Sequence, residues 1–515
     1  MTRERARGGA GPGVLGIVSV LLGAGVGEVV AAFLLPGASP VAAVGGALID
    51  AAPSWAKDTA IAWFGTGDKA ALLVGIAVVL AAVAFGAGVW ERRRRPFGAL
   101  LVAVLGVVGA VIAVARSDGA PLAAIPSLLS GLTAALTLRA LVAMGERATG
   151  ERSSALSGAE AQPDRRRFLI WTAVATASGL AAIAVANVAR TAARNVEALR
   201  AALRLPAPAT AAPPVPASVE LGIPGLAPVV TPNADFYRID TALVVPQVAP
   251  EDWSLRVHGM VEREVVLTWD ELVASPLQEA DVTLACVSNT VGGDLIGTAR
   301  WRGLPVREIL ARAGVDADAD MVLSTSIDGF TASTPLEALT DDRDALLAIG
   351  MNGEPLPIVH GFPVRLVVPG LYGYVSATKW VTELEVTRFD RTTAYWTTRG
   401  WSERGPIKLQ SRIDVPRGSA PAGDTVIAGM AWQQHVGVRG VEVRVDGGPW
   451  RPATLASAIS DDTWVQWSLP WTAERGTHDI ECRAIGADGA TQTDAVAPPA
   501  PDGATGWHRI TVSVA

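Results

Sequence analysis

The chain has 515 residues, with 43 Lys and Arg against 50 Asp and Glu, a net charge of −7, and half of its residues hydrophobic. A mean hydropathy of +0.32 and the crowding of apolar residues into the first 190 positions divide it into a membrane section and a globular one, with length for about three or four domains. The globular part has no basic stripe, which argues against a nucleic-acid partner. Its two cysteines, Cys286 and Cys482, match no metal-ligand spacing and leave a single disulfide between them open.

Five apolar runs, at about 14–35, 70–90, 98–115, 121–144 and 168–189, are long enough to cross a bilayer core of ~30 Å. Glu28, inside the first, is expected to be satisfied by an interhelical hydrogen bond, and Arg139 in the fourth to snorkel. Lys and Arg in the short loops set orientation. Arg3, Arg5 and Arg7, then Arg92 to Arg95, then Arg147, Arg152, Arg165, Arg166 and Arg167 fall on alternate loops. The intervening loops hold Lys57, Lys69 and Arg116 balanced by Asp50, Asp58, Asp68 and Asp118. The basic loops are therefore expected in the cytoplasm and the chain after residue 190 outside the cell membrane, although Arg190, Arg194, Arg200 and Arg204 oppose this. Asp164-Arg165-Arg166-Arg167-Phe168-Leu169 reads either as a twin-arginine export signal or as a plain positive-inside anchor. All five histidines (His258, His360, His435, His478, His508) follow residue 250, so the spans carry no bis-His haem of their own. They read as an anchor that also docks a partner.

Residues 205–232 carry Pro206, Pro208, Pro213, Pro214, Pro216, Pro224, Pro228 and Pro232, the composition of a semi-rigid spacer. From about 233 the pattern changes to short strands and helices. Strands are expected at Trp253–Val257, Val265–Thr268, Ala280–Val287, Met321–Ser326 and Pro363–Val368, and helices at Trp269–Ala274 and Val306–Ala313, with a turn at Asn352-Gly353. The stretch Thr283–Asn289 stands out. An apolar β-run ends at Cys286, and a loop with Gly292, Gly293 and Gly297 follows. A thiolate there suits a soft-metal ligand or a nucleophile; a buried core cysteine is the alternative. Arg365 interrupts the apolar run Val364–Val367, where an unpaired guanidinium is too costly to be idle. Trp396 and Trp401 read as packing between domains.

Several blocks recur in order: Asn233-Ala-Asp-Phe236-Tyr237-Arg238, Thr283-Leu-Ala-Cys286-Val-Ser-Asn289, Trp301-Arg302-Gly303, Met351-Asn-Gly-Glu-Pro-Leu-Pro357, His360-Gly-Phe-Pro-Val-Arg365 and Lys379-Trp380. Together they resemble the sulfite oxidase family of molybdopterin enzymes over about 230–510. The resemblance implies an α+β molybdopterin domain at 233–400 and a molybdenum–pyranopterin cofactor with Cys286 as the protein's metal ligand. It implies a two-electron oxygen-atom transfer carried by the cofactor. Arg365 matches the residue that grips the cofactor's phosphate, where a guanidinium fork fits, and His360 its companion. Phe236, Tyr237 and Arg238 match the block lining the pterin. Ser376, Ala377, Thr378 and Lys379 match a loop that closes over it, and Asn289, Ser326 and Asp328 are further polar contacts. Sulfite-oxidising members carry basic residues after this Asn; here Thr290 and Val291 stand there, so Arg238 and Arg300 are the candidates to hold an oxyanion. No haem is expected in this chain, and electrons are expected to pass to a separate cytochrome or quinone-linked carrier.

Residues 401–515 show short alternating strands, among them Val441–Val445, Trp464–Leu469, His478–Ala484 and His508–Val514. This is the pattern of an all-β immunoglobulin-like sandwich, resembling the family's dimerisation domain and implying a homodimer, with Cys482 as a core thiol. The whole reads as a five-helix transmembrane section (1–204), a linker, an α+β domain and a sandwich: a membrane-anchored, extracytoplasmic oxidoreductase acting on an S-oxide or sulfite-like compound. Sulfite oxidation proper, and a non-catalytic membrane scaffold or receptor on this fold, are the alternatives.

Overall fold

The computed structural model describes residues 10–34, 38–51, 68–115, 121–154, 163–192, 196–242 and 245–515. The chain divides into a helical unit reaching Asn195 and a second unit from Val196 onward, with Ala242–Val244 going with the first.

The helical unit contains α1 (Ala10–Leu34), α2 (Pro40–Ala51), α3 (Asp68–Arg93), α4 (Phe97–Ala115), α5 (Ala124–Ser154) and α6 (Pro163–Ala192). Among the described residues, five helical stretches are long and apolar enough to cross a membrane: Gly11–Leu34, Val74–Arg93, Phe97–Ala115, Pro121–Arg147 and Arg166–Ala186. They coincide with the apolar runs of the sequence. Without a polar face to hide, such helices associate through small residues. A Cβ on Gly106 of α4 would lie 2.7 Å from the Cα of Gly131 on α5, so the two backbones touch because both positions are glycine. Glu28 accepts from Ser39 Oγ (2.8 Å) and from the Val41 amide (3.2 Å), capping the start of α2, a short helix in a stretch that the sequence pattern assigns to a loop. Arg139 is exposed. Arg3, Arg5, Arg7, Lys57, Asp58, Arg116 and Asp118, on which the orientation rests, lie outside the described residues.

The second unit begins with α7 (Val196–Ala202). Arg200 on this helix donates to the carbonyls of Leu356 and Pro355. The proline-rich stretch after it, expected from its composition to be a semi-rigid spacer, is a strap laid on the domain. Ala209 N bonds Leu277 O at 2.7 Å, Thr231 N bonds Thr298 O at 2.8 Å, and Val219 and Val229 enter the core.

Ten strands follow: β1 (Ser254–Gly259), β2 (Val265–Thr268), β3 (Gln278–Ala285), β4 (Ile296–Pro305), β5 (Met321–Ser326), β6 (Thr331–Pro335), β7 (Leu346–Met351), β8 (Glu354–Pro355), β9 (Arg365–Val367) and β10 (Val381–Thr387). One sheet runs β2-β1-β10-β5-β6; the other runs β3-β4-β7-β8 with β9 on β7. The helices α8 (Trp269–Ala274), α9 (Val306–Ala313), α10 (Glu337–Thr340) and α11 (Gly373–Ser376) complete the mixed α/β domain. Thr268 and Glu271 form a capping box that starts α8, and Asn352 and Gly353, both at positive φ, make the tight β7–β8 hairpin.

Beyond residue 405 the chain is β-rich. Strands β11 (Gln410–Val415), β12 (Ser419–Ala420), β13 (Gly423–Trp432), β14 (Val438–Val445), β15 (Arg451–Pro452), β16 (Thr454–Leu455), β17 (Val465–Ala473), β18 (Gly476–Gly486) and β19 (His508–Val514) form two sheets, β11-β13-β17-β16 and β12-β19-β18-β14-β15. Inward residues of both, including Ile427, Trp467, Val443, Ile480 and Cys482, share one core. Cys482 and Cys286 are both buried and free, so the disulfide left open by the sequence is not formed. Trp432 and Trp464 reach instead into the core of the α/β domain, joining the two halves of this unit.

Candidate active site

Cys286 follows the last residue of β3 and is buried, 8% exposed. Its amide bonds Leu295 O (2.9 Å), its carbonyl accepts from Asn289 N (3.1 Å), and Asn289 Oδ1 accepts from Leu295 N (2.9 Å). Asn289 thus closes the loop that presents the thiol. The β-rich region braces the same loop. Arg412 donates to Gly293 O at 2.8 Å, the Trp464 amide donates to Thr283 Oγ1 at 2.9 Å, and Gly292, at φ +76°, lies against the His508 ring where a Cβ would collide. Burial pushes the Cys286 thiol up; hydrogen bonds from Ser288 and the charge of Lys379 pull the other way.

The thiol opens into a cavity of about 120 Å³ lined also by Phe236, Tyr237, Asp240, Ser326, Asp328, Arg365, Ala377 and Lys379. Arg365, on β9, is 4% exposed. Its guanidinium donates to the carbonyls of His360 (3.1 Å), Leu366 (3.3 Å) and Ala377 (3.4 Å) and stands 5.0 Å from the Trp301 ring. No described carboxylate pairs with it. Burial pulls its pKa down to about 10. His360 is buried beside it, with Nε2 3.3 Å from Asn233 O and Nδ1 without a partner among the described residues. Burial, reinforced by Lys379 and Arg365, lowers its pKa to about 3, so the ring is neutral. Lys379 reaches Asp240 Oδ2 at 3.1 Å and Val359 O at 3.0 Å; burial lowers it to about 8 against the opposing pull of Asp240. Tyr237 stacks on Phe236 at 5.3 Å, and burial, then Cys286, raises its hydroxyl.

Residues 242–396 match the family described as oxidoreductase molybdopterin binding domain. The sulfite oxidase of Gallus gallus is 32% identical over 335 residues, covering 54% of this chain and 72% of that protein. The chain belongs to the sulfite oxidase family. It is a molybdenum-cofactor-dependent oxidoreductase of that family. Mitochondrial sulfite oxidase of Mus musculus is 31% identical over 339 residues, and there the chain spans 62% of the relative's length. The solved sulfane dehydrogenase SoxCD from Paracoccus pantotrophus aligns over 56% of this chain and 82% of its own at 22% identity and a TM-score of 0.48.

The cavity suits the cofactor the family implies. An anionic group needs a cation not already neutralised, and Arg365 meets carbonyl oxygens and the Trp301 ring but no carboxylate among the described residues; a thiol stands at the cavity wall, while Asn289 and His360, whose Nδ1 lacks a partner among the described residues, are no part of the lining. Phe236, Tyr237, Ser326, Asp328, Ala377 and Lys379 from the family blocks also meet here. Others do not. Ser376 Oγ donates to Tyr372 O at 2.9 Å, and Thr378 shares a hydrogen bond with Ser324 at 2.7 Å; both hold the loop from behind. Arg238 pairs with Asp240 at 2.9 Å and is no part of the lining. Arg300 is turned away, fixed on Asp281 through Nε (3.0 Å) and a terminal nitrogen (2.7 Å) and on Pro213 O. Sequence reading misses Asp240, the carboxylate that Lys379 shares with Arg238, and Phe330 and Tyr374, and it gives Trp396 and Trp401 an interdomain role; all four aromatic rings line the cavity.

Proposed function

We propose that this cavity holds the molybdenum–pyranopterin cofactor with Cys286 as its protein ligand, and that the protein is a membrane-anchored enzyme moving an oxygen atom to or from the sulfur of a small sulfur compound. When bound, the group supplies a soft metal that cycles by two electrons as one oxygen atom is exchanged. The observation that carries the reading is Arg365: a buried cation without a counter-ion among the described residues, facing the same cavity as a buried thiol. Arg365 offers its fork to the cofactor's phosphate, with His360 fixing the turn that supplies one of its carbonyls. Phe236 and Tyr237 flank the ring system, Lys379 and the Ala377 backbone close over it, and Ser326 and Asp328 add polar contacts. Cys286 gives up its proton on ligation; its burial keeps it a thiol until a cation arrives. Arg238 and Arg300 receive no substrate contact in this reading.

The five apolar helices support an anchor with its N-terminus in the cytoplasm and the oxidoreductase outside the cell membrane, exported by the Arg165-Arg166-Arg167 signal. The two-sheet β-rich region, 401–515, is assigned as an immunoglobulin-like dimerisation domain, and electrons are assigned to a separate carrier. The test is metal analysis of the purified chain together with Cys286→Ser. Molybdenum near one per chain, and a folded Cys286→Ser variant without turnover, support the reading; full activity in that variant removes Cys286 from the metal. Protease protection of the C-terminal half in intact cells would overturn the orientation.

A further inference from the structure

Cys286 follows an edge strand. In its sheet β3 lies beside β4 and ends the strand order, and an edge leaves backbone groups that other segments must satisfy. The strap takes the start of that edge, where Glu279 N donates to Thr210 O at 2.9 Å. The end nearest the thiol goes to the β-rich region. Thr283 is fully buried. Its amide donates to Asp462 O at 3.0 Å, its carbonyl accepts from Gln434 Nε2 at 3.3 Å, and its Oγ1 accepts from the Trp464 amide at 2.9 Å and meets Thr298 Oγ1 of β4.

The same region grips the chain again on the far side of the thiol. Arg412 donates through one terminal nitrogen to Gly293 O at 2.8 Å, and its Nε donates to Asp414 Oδ1 at 2.7 Å. His508, whose Nδ1 accepts from Ile413 N at 2.9 Å, lays its ring on Gly292. A shift at Gly293 reaches the thiol through Asn289. A Cβ on Gly293 would lie 2.4 Å from Asn289 Oδ1, so this backbone rests on the Asn289 side chain, and Asn289 N donates to the Cys286 carbonyl at 3.1 Å. Thr283, Arg412 and His508 are no part of the cavity lining. They act on the site through the loop that presents its thiol.

We propose that Arg412 and Thr283 are positioning residues for the Cys286 sulfur: the β-rich region clamps the chain on both sides of this thiol, and releasing either clamp frees the thiol and changes metal ligation while the fold stays intact. The proposal rests on the reading of Cys286 as the metal ligand. Groups that orient a ligand tune the metal it holds, and a site works only when its ligands are held to within about 0.5 Å. A loop on an edge strand does not supply that stiffness by itself. Here the stiffness comes from contacts that begin far along the chain, at Arg412 and at the 462–464 turn.

The test uses the full chain in detergent, made with and without molybdate. In the cofactor-free protein, iodoacetamide labelling of each cysteine is timed by mass spectrometry. Cys482, fully buried in the core of the β-rich region, reports unfolding. The variants are Thr283→Val, and Arg412→Met made together with Asp414→Asn so that no buried carboxylate is stranded. Each should speed labelling of Cys286 by about tenfold or more and leave Cys482 protected, with Thr283→Ser returning to the parental rate. Arg444→Met is the control. It removes a partner of Glu481 between β14 and β18 and should leave Cys286 labelling unchanged. In the molybdenum-loaded protein, reduced stepwise with dithionite, both clamp variants should shift the g-values of the Mo(V) signal, which a merely structural role would not move. Parental labelling of Cys286, labelling of both cysteines together, or a parental Mo(V) signal in both clamp variants overturns the proposal. A mature parental chain without molybdenum overturns the metal reading, and the labelling rates then decide the clamp by themselves.

Discussion

Arg365→Met separates a residue kept for a ligand from one kept for the fold. Methionine retains the apolar stem and removes the charge. In the protein without its cofactor, burial lowers the guanidinium pKa from 12.5 to about 10. A base depressed in this way binds fewer protons folded than unfolded between those two values, so stability rises with pH across that window, and at neutral pH the cation costs the fold roughly 3 kcal/mol. Three hydrogen bonds to carbonyls at 3.1, 3.3 and 3.4 Å, each worth about 1 kcal/mol, and the Trp301 contact at 5.0 Å, worth about 1 kcal/mol, offset it. Arg365→Met is therefore expected to change the stability of the cofactor-free protein by less than about 1 kcal/mol. With an anion in place the balance differs. Removing one partner of a buried charge pair costs about 3–5 kcal/mol, which is roughly two to four decades of affinity. Denaturant melts of protein made without molybdate give the first quantity; metal content of protein made with it gives the second. Molybdenum at the parent level, or a cofactor-free variant destabilised by about 3 kcal/mol or more, would make Arg365 a structural residue and refute the reasoning.

The other predictions concern the frame around the thiol. Burial holds His360 at about 3 and His508 at about 4, both below the ordinary 6.5. The unfolded chain takes protons that the folded one refuses, so stability should fall as pH drops from about 6.5 toward 4. His360→Gln or His508→Gln should each reduce the slope by up to about 1.4 kcal/mol per pH unit, and melts with parental slopes in both variants would contradict this. Gly292→Ala meets the His508 ring at a positive φ and should cost more than about 2 kcal/mol. Gly329→Ala, at φ +84° in open space, should cost only the backbone strain of about 1–2 kcal/mol; equal losses in denaturant melts would count against a brace from the β-rich region. Arg412→Ala leaves Asp414, 1% exposed, without its closest partner and should cost about 3–5 kcal/mol, a loss read from the same melts.

Periodicity and apolar run length carried much of the architecture. The five long helices follow from their composition, and α8, α9, β2, β5 and β19 fall on the residues where the pattern places them. Cys286 was legible because an apolar-rich β-run ends there and a glycine loop follows. The strap was not: proline content reports stiffness, while docking depends on single contacts such as Ala209 N on Leu277 O, which no local signal encodes. Arg300 was expected near a substrate, and register decides otherwise. It sits directly opposite Asp281 across β3 and β4, as Arg302 sits opposite Glu279, and alternation then turns both side chains toward the strap. Asp240 was invisible for the opposite reason: an acid in a polar segment reads as solvated until Lys379, far along the chain, is brought against it.

These pairings sort the arginines of the unit by function. Arg300 with Asp281, Arg302 with Glu279 and Arg412 with Asp414 are buried or half-buried cations matched by carboxylates within 3 Å, and each fastens one segment to another. Such a charge is self-sufficient; it needs nothing from outside the chain. Arg365 is more deeply buried than Arg300 or Arg302 and has only neutral oxygens around it among the described residues. A fold that can place a carboxylate opposite each of the others has no steric reason to leave this one unmatched, and a hydrophobic residue of similar volume would cost the fold no more. The persistence of the cation therefore points to a negative charge that arrives with a ligand, and the cavity it faces contains Cys286.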